Sequence, residues 1–154
     1  MKKVTKSPGI PVGSDILTGF GETDYTDTYT ITKQTDKSAE EISKKLIVLP
    51  DWAGALFWLR NKAVGIFGLK TDKNAGSEAF FTTISNRDEE IIMGENDKHL
   101  NFRASILKNR SENTISLITV VHFNNVWGKI YFLPVKPFHK IIMKALLKRY
   151  LAKQ

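Results

Sequence analysis

The sequence contains no cysteine among its 154 residues. Disulfide bonds, zinc sites built on thiolates and thiol catalysis are therefore excluded. A domain of this length buries about 70% of the surface that its unfolded chain would expose, so its core needs no covalent staple. A reducing compartment is compatible with the absence of cysteine, and we expect a cytoplasmic protein.

The sequence also lacks an uninterrupted apolar run of membrane-spanning length. Its most apolar stretch, residues 52–69, carries Arg60, Asn61 and Lys62 near its centre, where charged groups would be costly in lipid. The first fifteen residues contain lysines with no apolar segment behind them. We therefore expect neither a secretory signal nor a transmembrane helix.

Motifs that carry common enzyme chemistry are missing as well. We find no nucleophile triad, no glycine-rich phosphate loop between a strand and a helix, and no cluster with metal-ligand spacing, so we expect no cofactor and no metal. The chain has 23 Lys and Arg against 16 Asp and Glu, a net charge of +7. Such an excess favours contact with anionic partners in general. Because no RNA-binding aromatic motif and no helix-turn-helix pattern accompanies it, we expect no nucleic-acid partner.

The hydrophobic pattern divides the chain into an arm and one domain. Residues 1–24 carry two prolines and several glycines, which predicts an irregular arm that packs on the domain near Ile16, Leu17 and Phe20. Residues 25–154 show regular periodicity and are predicted to form a single domain.

The first part of this domain reads as one strand and two helices. "DYTDTYTITKQ" alternates with period two and predicts a strand that begins near Tyr25. Ser38 and Glu41 have the spacing of a capping box at a helix N-terminus. Residues 52–68 follow helical spacing and predict a second helix.

The second part reads as a run of strands closed by a helix. Five strands are predicted at "AFFTTIS", "EEIIMGE", "HLNFRASILK", "TISLITVVHFN" and "VWGKIYFL", with Pro134 and Pro137 ending the sheet. A helix from about Phe138 to Ala152 follows. Its predicted apolar stripe is Phe138, Ile141, Ile142, Ala145 and Leu146, and its basic stripe is Lys140, Lys144 and Lys148.

The order of these elements indicates the fold class. Short connections between consecutive strands imply antiparallel pairing, and helices segregated from such a sheet make the fold α+β. The last helix has the long apolar stripe that the sheet needs as a cover. We therefore predict a helix-grip fold, in which a curved antiparallel sheet wraps a long C-terminal helix.

Four stretches carry a family resemblance: "LRN" at 59–61 with "GL" at 68–69, "ENDKHLNFR" at 95–103, "WGKIYF" at 127–132 and "VKPFH" at 135–139. Through them the chain resembles domain of unknown function 2867, a bacterial family placed with the START/Bet v1-like superfamily, over about residues 20–150. The resemblance implies a helix-grip fold and an apolar ligand held between sheet and helix. It brings no established reaction and no catalytic residue.

One predicted strand has an unusually polar row. Side chains alternate sides along a strand, so "DKHLNFRASI", from residue 97 onward, separates into two rows. Leu100, Phe102, Ala104 and Ile106 form the apolar row, and Asp97, His99, Asn101, Arg103 and Ser105 form the polar row. The apolar row must face the core. The polar row then faces solvent, a neighbouring element or the arm.

Three interpretations of the polar row stay open. It is a solvated outer face, as antiparallel sheets commonly have. Alternatively it is a structural network, in which Asp97 orients His99 and Arg103 pairs with Glu95 or Glu89. Alternatively it is a functional site, with His99 as acid/base or anion binder and Arg103 holding a carboxylate or phosphate.

Other polar and aromatic side chains could add to this row. The parity of His122 could place it beside His99, where a His pair and a carboxylate could hold a metal, although a hydrogen-bonded strand histidine is the commoner case. The "VWGKIYF" stretch brings Trp127 and Tyr131 into the predicted sheet, and its glycine suggests a bulge or a close backbone approach. His139 is expected to be a packing or capping residue.

These observations favour a domain that binds a small apolar or amphipathic molecule in a cavity between the sheet and the C-terminal helix. The expected ligand-binding residues are Asp97, His99, Arg103, His122, Trp127 and Tyr131. One alternative is an enzyme that uses His99 with Asp97 and Arg103. Another is a binder of anionic surfaces that uses the basic stripe of the last helix. A second copy of the chain, forming a homodimer, is a further possible partner.

Overall fold

The computed structural model of the protein describes residues 3–7, 9–46, 82–96 and 98–153. The predicted helix over residues 52–68 lies outside this part of the chain. The described residues form an α+β domain. Its elements are β1 (Thr5–Ser7), β2 (Tyr25–Thr32), α1 (Ala39–Leu46), β3 (Thr82–Asn86), β4 (Glu90–Asn96), β5 (Leu100–Asn109), β6 (Thr114–Phe123) and α2 (Val126–Ala152).

The strands form one curved, open antiparallel sheet in the order β1-β2-β6-β5-β4-β3. The strands β3 to β6 are joined in sequence by short connections, which explains their consecutive pairing. β2 enters beside β6, with Tyr25 opposite Val121 and Thr32 opposite Thr114. The sheet and the long C-terminal helix agree with the predicted helix-grip fold.

The start of α1 confirms the predicted capping box. The backbone N–H of Glu41 donates to the Ser38 hydroxyl at 3.2 Å, and the Ser38 N–H donates to the Glu41 carboxylate at 2.8 Å. Two of the donors that a helix N-terminus leaves unpaired are thereby satisfied. Ile42 and Leu46 then face the core at helical spacing.

The predicted fifth strand is wrong: residues 126–133 form the first two turns of α2. Asn125 caps this helix, because its side-chain oxygen accepts the Gly128 N–H at 3.2 Å. Apolar residues lie on all sides of this segment, so its pattern has no clear period. Pro134 and Pro137, predicted to end the sheet, lie inside the helix. Each removes one backbone donor from the helix.

The predicted apolar stripe of the last helix is also wrong in part. Phe138 and Ile141 are exposed. The buried side chains of the C-terminal half come one turn later, at Leu146, Leu147, Tyr150 and Leu151. Leu146, which belongs to the predicted stripe, is buried as predicted, and the N-terminal half of the helix packs on the sheet through Phe132.

Both faces of the sheet are covered. On one face, α1 and α2 pack over a core that includes Tyr29, Ile31, Ile106, Ile115 and Leu147. On the other face lies an arm-side cluster, which we define as Ile16, Phe20, Ile92, Leu107, Ile118 and Val120. The two rows of β5 separate as predicted, because Ile106 belongs to the helix side and Leu107 to the arm side.

The N-terminal arm is more ordered than the predicted irregular segment. Its residues Thr5–Ser7 form β1, which pairs with β2 at the edge of the sheet. Ile16 and Phe20 are buried in the arm-side cluster, as predicted, whereas Leu17 is exposed. The arm therefore contributes both an edge strand and the cover of the second sheet face.

Candidate functional site

The first predicted site residues lie where β5 meets α2. Asp97 lies outside the described residues. His99 is buried just before β5, and its Nδ1 lies 2.9 Å from the side-chain nitrogen of Asn125, the residue that caps α2. The His99 carbonyl accepts the backbone N–H of Asn124 at 2.9 Å. His99 therefore holds the start of α2. This is the role of a structural network, as in the second interpretation of the polar row, but the partner is Asn125, which the sequence did not indicate.

Gly128 explains why His99 and α2 can approach so closely. A Cβ at this position would overlap the carbonyl oxygen of His99 and approach the Leu100 side chain. The predicted close backbone approach is therefore confirmed, although it belongs to a helix rather than to a bulged strand.

Arg103 binds the arm instead of a carboxylate. Its guanidinium donates to the carbonyl oxygens of Ile16 at 3.0 Å and Thr18 at 2.6 Å, and it lies 5.2 Å from the ring centroid of Phe20. The expected pairing with Glu95 or Glu89 is absent from its described contacts. The polar row was predicted to face solvent, a neighbouring element or the arm, and Arg103 contacts the arm.

Position 122 faces away from the helix side of the sheet, like Arg103. His122 pairs in register with Asn101, and its Nδ1 lies 2.8 Å from a carboxylate oxygen of Asp24. That contact lacks the alignment of a hydrogen bond. In the described part of the chain, His, Asp and Glu side chains form no group of three that could hold a metal ion.

The last two predicted residues, Trp127 and Tyr131, lie one turn apart at the start of α2. The structure therefore divides the predicted set. His99 contacts Asn125 at the N-terminus of α2, and Trp127 and Tyr131 lie in the first turns of this helix, whereas Arg103 and His122 lie on the opposite sheet face. An enzyme site built from His99 and Arg103 together is not assembled.

An aromatic cluster lies between this end of the sheet and α2. Tyr25 and Phe132 have ring centroids 4.8 Å apart, and those of Phe123 and Phe132 are 5.5 Å apart, both in tilted pairs of the kind that aromatic rings prefer. The cluster consists of Tyr25, Leu100, Phe102, Val121, Phe123, Tyr131, Phe132 and Val135. Leu100, Val121 and Phe132 are buried, and the other five are partly exposed. Phe102, predicted to be core, is partly buried and packs against this cluster.

A buried carboxylate–histidine pair, Asp27 and His139, borders this cluster. Asp27 is buried on the same row of β2 as Tyr25, accepts the Tyr25 hydroxyl at 2.6 Å, and lies 3.1 Å from Nε2 of His139 on α2. Burial alone would raise the pKa of Asp27, but hydrogen bonds from His139 and Tyr25 outweigh it and hold this pKa below its ordinary value. Burial, followed by the bond to Asp27, raises the pKa of Tyr25.

Two lysines and a second tyrosine lie near Asp27 and His139. The Lys136 ammonium lies 5.2 Å from the Tyr25 ring centroid, and the Lys6 ammonium lies 5.9 Å from that of Tyr29. The Tyr29 hydroxyl is buried and makes no hydrogen bond. Burial and the nearby Asp27 carboxylate raise the pKa of Tyr29 to about 12. Partial burial and the neighbouring Lys140 ammonium lower the pKa of Lys6.

Sequence reasoning missed this pair, although one signal pointed to it. Asp27 sits in the apolar row of β2 with Tyr25, Tyr29 and Ile31, where an acid must be paired to be buried. Its partner His139 is 112 positions away, and no local pattern joins the two.

Sequence reasoning also missed Glu90. This carboxylate is fully buried and accepts hydrogen bonds from the Ser14 hydroxyl, the Asp15 N–H and the Ser105 hydroxyl at 2.5–2.8 Å. Arg87 lies 3.2 Å from it. These contacts join the arm to β4 and β5, so Glu90 has a structural role.

A cavity of about 870 Å³ lies elsewhere, where the loop after β2 meets the end of α2. Lysines dominate its lining, which comprises Thr32, Lys33, Gln34, Thr35, Lys37, Lys44, Lys45, Tyr150, Leu151 and Lys153. Cations are favoured at helix C-termini, and both α1 and α2 end here. Lys44 and Lys45 lie in the last turn of α1, and Lys33 donates to the carbonyl oxygens of Tyr150 and Lys153 at the end of α2, which agrees with that preference.

Comparison with known proteins gives one match. The model of a family described as protein of unknown function, DUF2867, matches residues 20–146. No curated protein and no solved structure gives a match.

Proposed function

The chain belongs to the DUF2867 family, and we propose that it binds a small amphipathic molecule between the sheet and the N-terminal half of α2. The partly exposed aromatic cluster is the observation that carries this proposal. Five of its eight side chains keep accessible surface, which an apolar ligand body could cover. Small-molecule sites are typically apolar and aromatic with a few polar groups.

His139 and Lys136 would recognise the polar end of the ligand. The imidazole of His139 beside Tyr25 can form a hydrogen bond with a bound group, and the Lys136 ammonium beside the same ring favours an anionic one. A fatty acid or a similar molecule with an apolar body and one carboxylate has the chemistry that fits. The enzyme alternative has less support, because His99 and Arg103 contact different elements.

Two measurements test this proposal. Native mass spectrometry of the protein as purified, followed by denaturing extraction, would detect a bound lipid-like molecule. In parallel, titration with a fluorescent fatty acid measures affinity for a defined probe. Tyr131→Ala should raise the Kd of the probe about tenfold, the effect of removing one well-packed aromatic contact.

Ile130 provides the matched control for the titration. It precedes Tyr131 on α2 but is 43% exposed and lies outside the aromatic cluster. Ile130→Ala should leave the Kd within about twofold, as for an ordinary surface change. Failure of the wild-type protein to bind the probe, together with a ligand-free mass spectrum, would overturn the proposal. Equal effects of both substitutions would also contradict it.

Several broader expectations accompany this proposal. The START/Bet v1-like relationship and the bacterial origin are predictions from the resemblance, and the cytoplasmic location is a prediction from composition. Among the described residues no helix is long and apolar enough to cross a membrane.

A further inference from the structure

Apolar side chains line the outward face of the N-terminal half of α2. Val126, Ile130, Leu133 and Ile141 are 61%, 43%, 66% and 53% exposed. We call these four residues the outward row. Their spacing of four, three and eight positions places them on one side of the helix, opposite Phe132 and Leu146 in the core. Single exposed apolar residues are ordinary on a protein surface, whereas a continuous row marks an interaction site.

Aromatic side chains flank this row. Trp127 is 50% exposed and Phe138 is 38% exposed, and both lie beside the outward row on α2. Tryptophan is favoured where an apolar phase meets water, and both tryptophan and phenylalanine are typical of the apolar face of interfacial helices.

Positive charge accompanies the apolar surface along the whole helix. α2 contains five lysines and one arginine, with no aspartate or glutamate, and no acidic residue follows Glu112 in the sequence. Lys144 and Lys148 continue the outward row at helical spacing. The lysines Lys129, Lys136 and Lys140 form a parallel line beside it. Much of the net positive charge of the protein is therefore concentrated on this one helix.

We propose that the outward face of α2 docks the protein onto an anionic lipid bilayer, with the helix lying in the plane of the interface. An interfacial helix buries an apolar stripe at the boundary between headgroups and acyl chains while its lysines contact anionic headgroups. The outward row and its lysines supply both requirements on one surface. This proposal is independent of the aromatic cluster, which lies on the sheet side of the same helix.

Charge and apolar surface together distinguish a bilayer from two other partners of this helix face. A second copy packed symmetrically through the outward row would bring two lysine-rich, acid-free helices together, and like charges would repel. A nucleic acid would satisfy the lysines but leave the outward row in water. An anionic bilayer accommodates both the charge and the apolar surface.

Vesicle flotation tests the proposal with defined probes. We expect the protein to float with vesicles of phosphatidylcholine and phosphatidylserine, and not with vesicles of phosphatidylcholine alone. Raising the salt concentration should release it, because salt screens the lysine contacts. Replacing Ile130 and Leu133 together by serine should weaken binding about tenfold or more, since two apolar side chains leave the interface.

Matched variants separate these effects from general destabilisation. Ile84→Ser on β3 removes an exposed apolar side chain of similar exposure, 47%, and should leave flotation unchanged. Lys144→Glu with Lys148→Glu should abolish flotation, whereas Lys44→Glu with Lys45→Glu on α1, also exposed lysines, should not. Thermal melts of all variants would confirm that they are folded.

Four outcomes would overturn the proposal. The first is equal binding to neutral and anionic vesicles, and the second is an equal effect of the α1 and α2 charge reversals on flotation. The third is DNA binding that depends on the lysines but not on Ile130 and Leu133. The fourth is a protein that binds no vesicles but forms a dimer, which dissociates when Ile130 and Leu133 are replaced. Loss of flotation with intact binding of the fluorescent fatty acid would leave the proposed ligand function standing, so the two proposals fail separately.

Discussion

His139→Phe is expected to destabilise the domain and to make its stability rise as the pH falls from neutrality toward about 4. The substitution keeps a planar ring beside Tyr25 but removes the Nε2 group that lies 3.1 Å from the Asp27 carboxylate. Asp27 is 1% exposed and would retain one described donor, the Tyr25 hydroxyl. A buried carboxylate that loses a partner is strongly disfavoured.

The size of the effect follows from the geometry. Leaving a buried charge without its partner typically costs about 3–5 kcal/mol. His139 is 16% exposed, and Tyr25 still donates to Asp27, so we expect a smaller loss of about 2–3 kcal/mol in the free energy of unfolding. His139→Gln, whose amide can still donate, should lose less than His139→Phe.

The pH dependence gives a sharper test than the loss itself. In the wild-type protein the folded pKa of Asp27 is lowered, so its contribution is present above the unfolded pKa, about 3.9, and is lost as the pH falls through the folded pKa. In His139→Phe burial should dominate and raise the folded pKa above about 3.9. The variant should therefore gain stability as the pH is lowered from neutral toward about 4.

Urea denaturation followed by tryptophan fluorescence, repeated at several pH values, measures both quantities. Adding Asp27→Asn to His139→Phe should remove the gain in stability at lower pH, because the titrating group is gone. A loss below about 0.5 kcal/mol, the range of ordinary surface changes, with an unchanged pH profile would refute the conclusion that His139 supports a buried carboxylate.

Three further changes test the architecture around the site. Glu90→Ala should leave the polar groups of the arm without their acceptor and lower the free energy of unfolding by about 3–5 kcal/mol. Limited proteolysis should then cut within residues 9–24 before the domain unfolds. Gly128→Ala should lose at least about 1–3 kcal/mol by thermal melting, because its Cβ meets the carbonyl of His99, whereas Gly9→Ala, with open space around it, should change little. His99→Ala should cost about 1–3 kcal/mol by leaving the Asn125 cap without its partner, and an unchanged melting temperature would contradict that role.

Local patterns in the sequence predicted much of the fold. Period-two alternation placed β2 to β6, and the Ser38–Glu41 spacing placed the start of α1, because both depend on residues that are close in the chain. The start of α2 was mistaken because residues 126–133 are apolar on every side and therefore carry no period. Only packing on the sheet, through Gly128 and Phe132, decides that this segment is helical.

The candidate site was harder to predict because its parts are distant in sequence. The parity of β5 separated Phe102 from Arg103 correctly, but only the arm's position decides that Arg103 binds Ile16 and Thr18 rather than a carboxylate. Similarly, Asp27 was missed although it is an acid in an apolar row of β2, because its pairing with His139 depends on how α2 crosses the sheet. The alternation of residues along a strand therefore indicates which sheet face a residue occupies, while the tertiary fold determines which group it contacts.

The central claim is that the ligand binds between the sheet and α2. Methyl NMR during titration with a fatty acid tests it most directly, since shifts report contact residue by residue. We predict saturable shifts for the methyl groups of Leu100, Val121 and Val135 in the aromatic cluster, with little change for Ile16 and Ile118 on the arm side. Shifts confined to Ile16 and Ile118, or no saturable shift at any of the five, would contradict it.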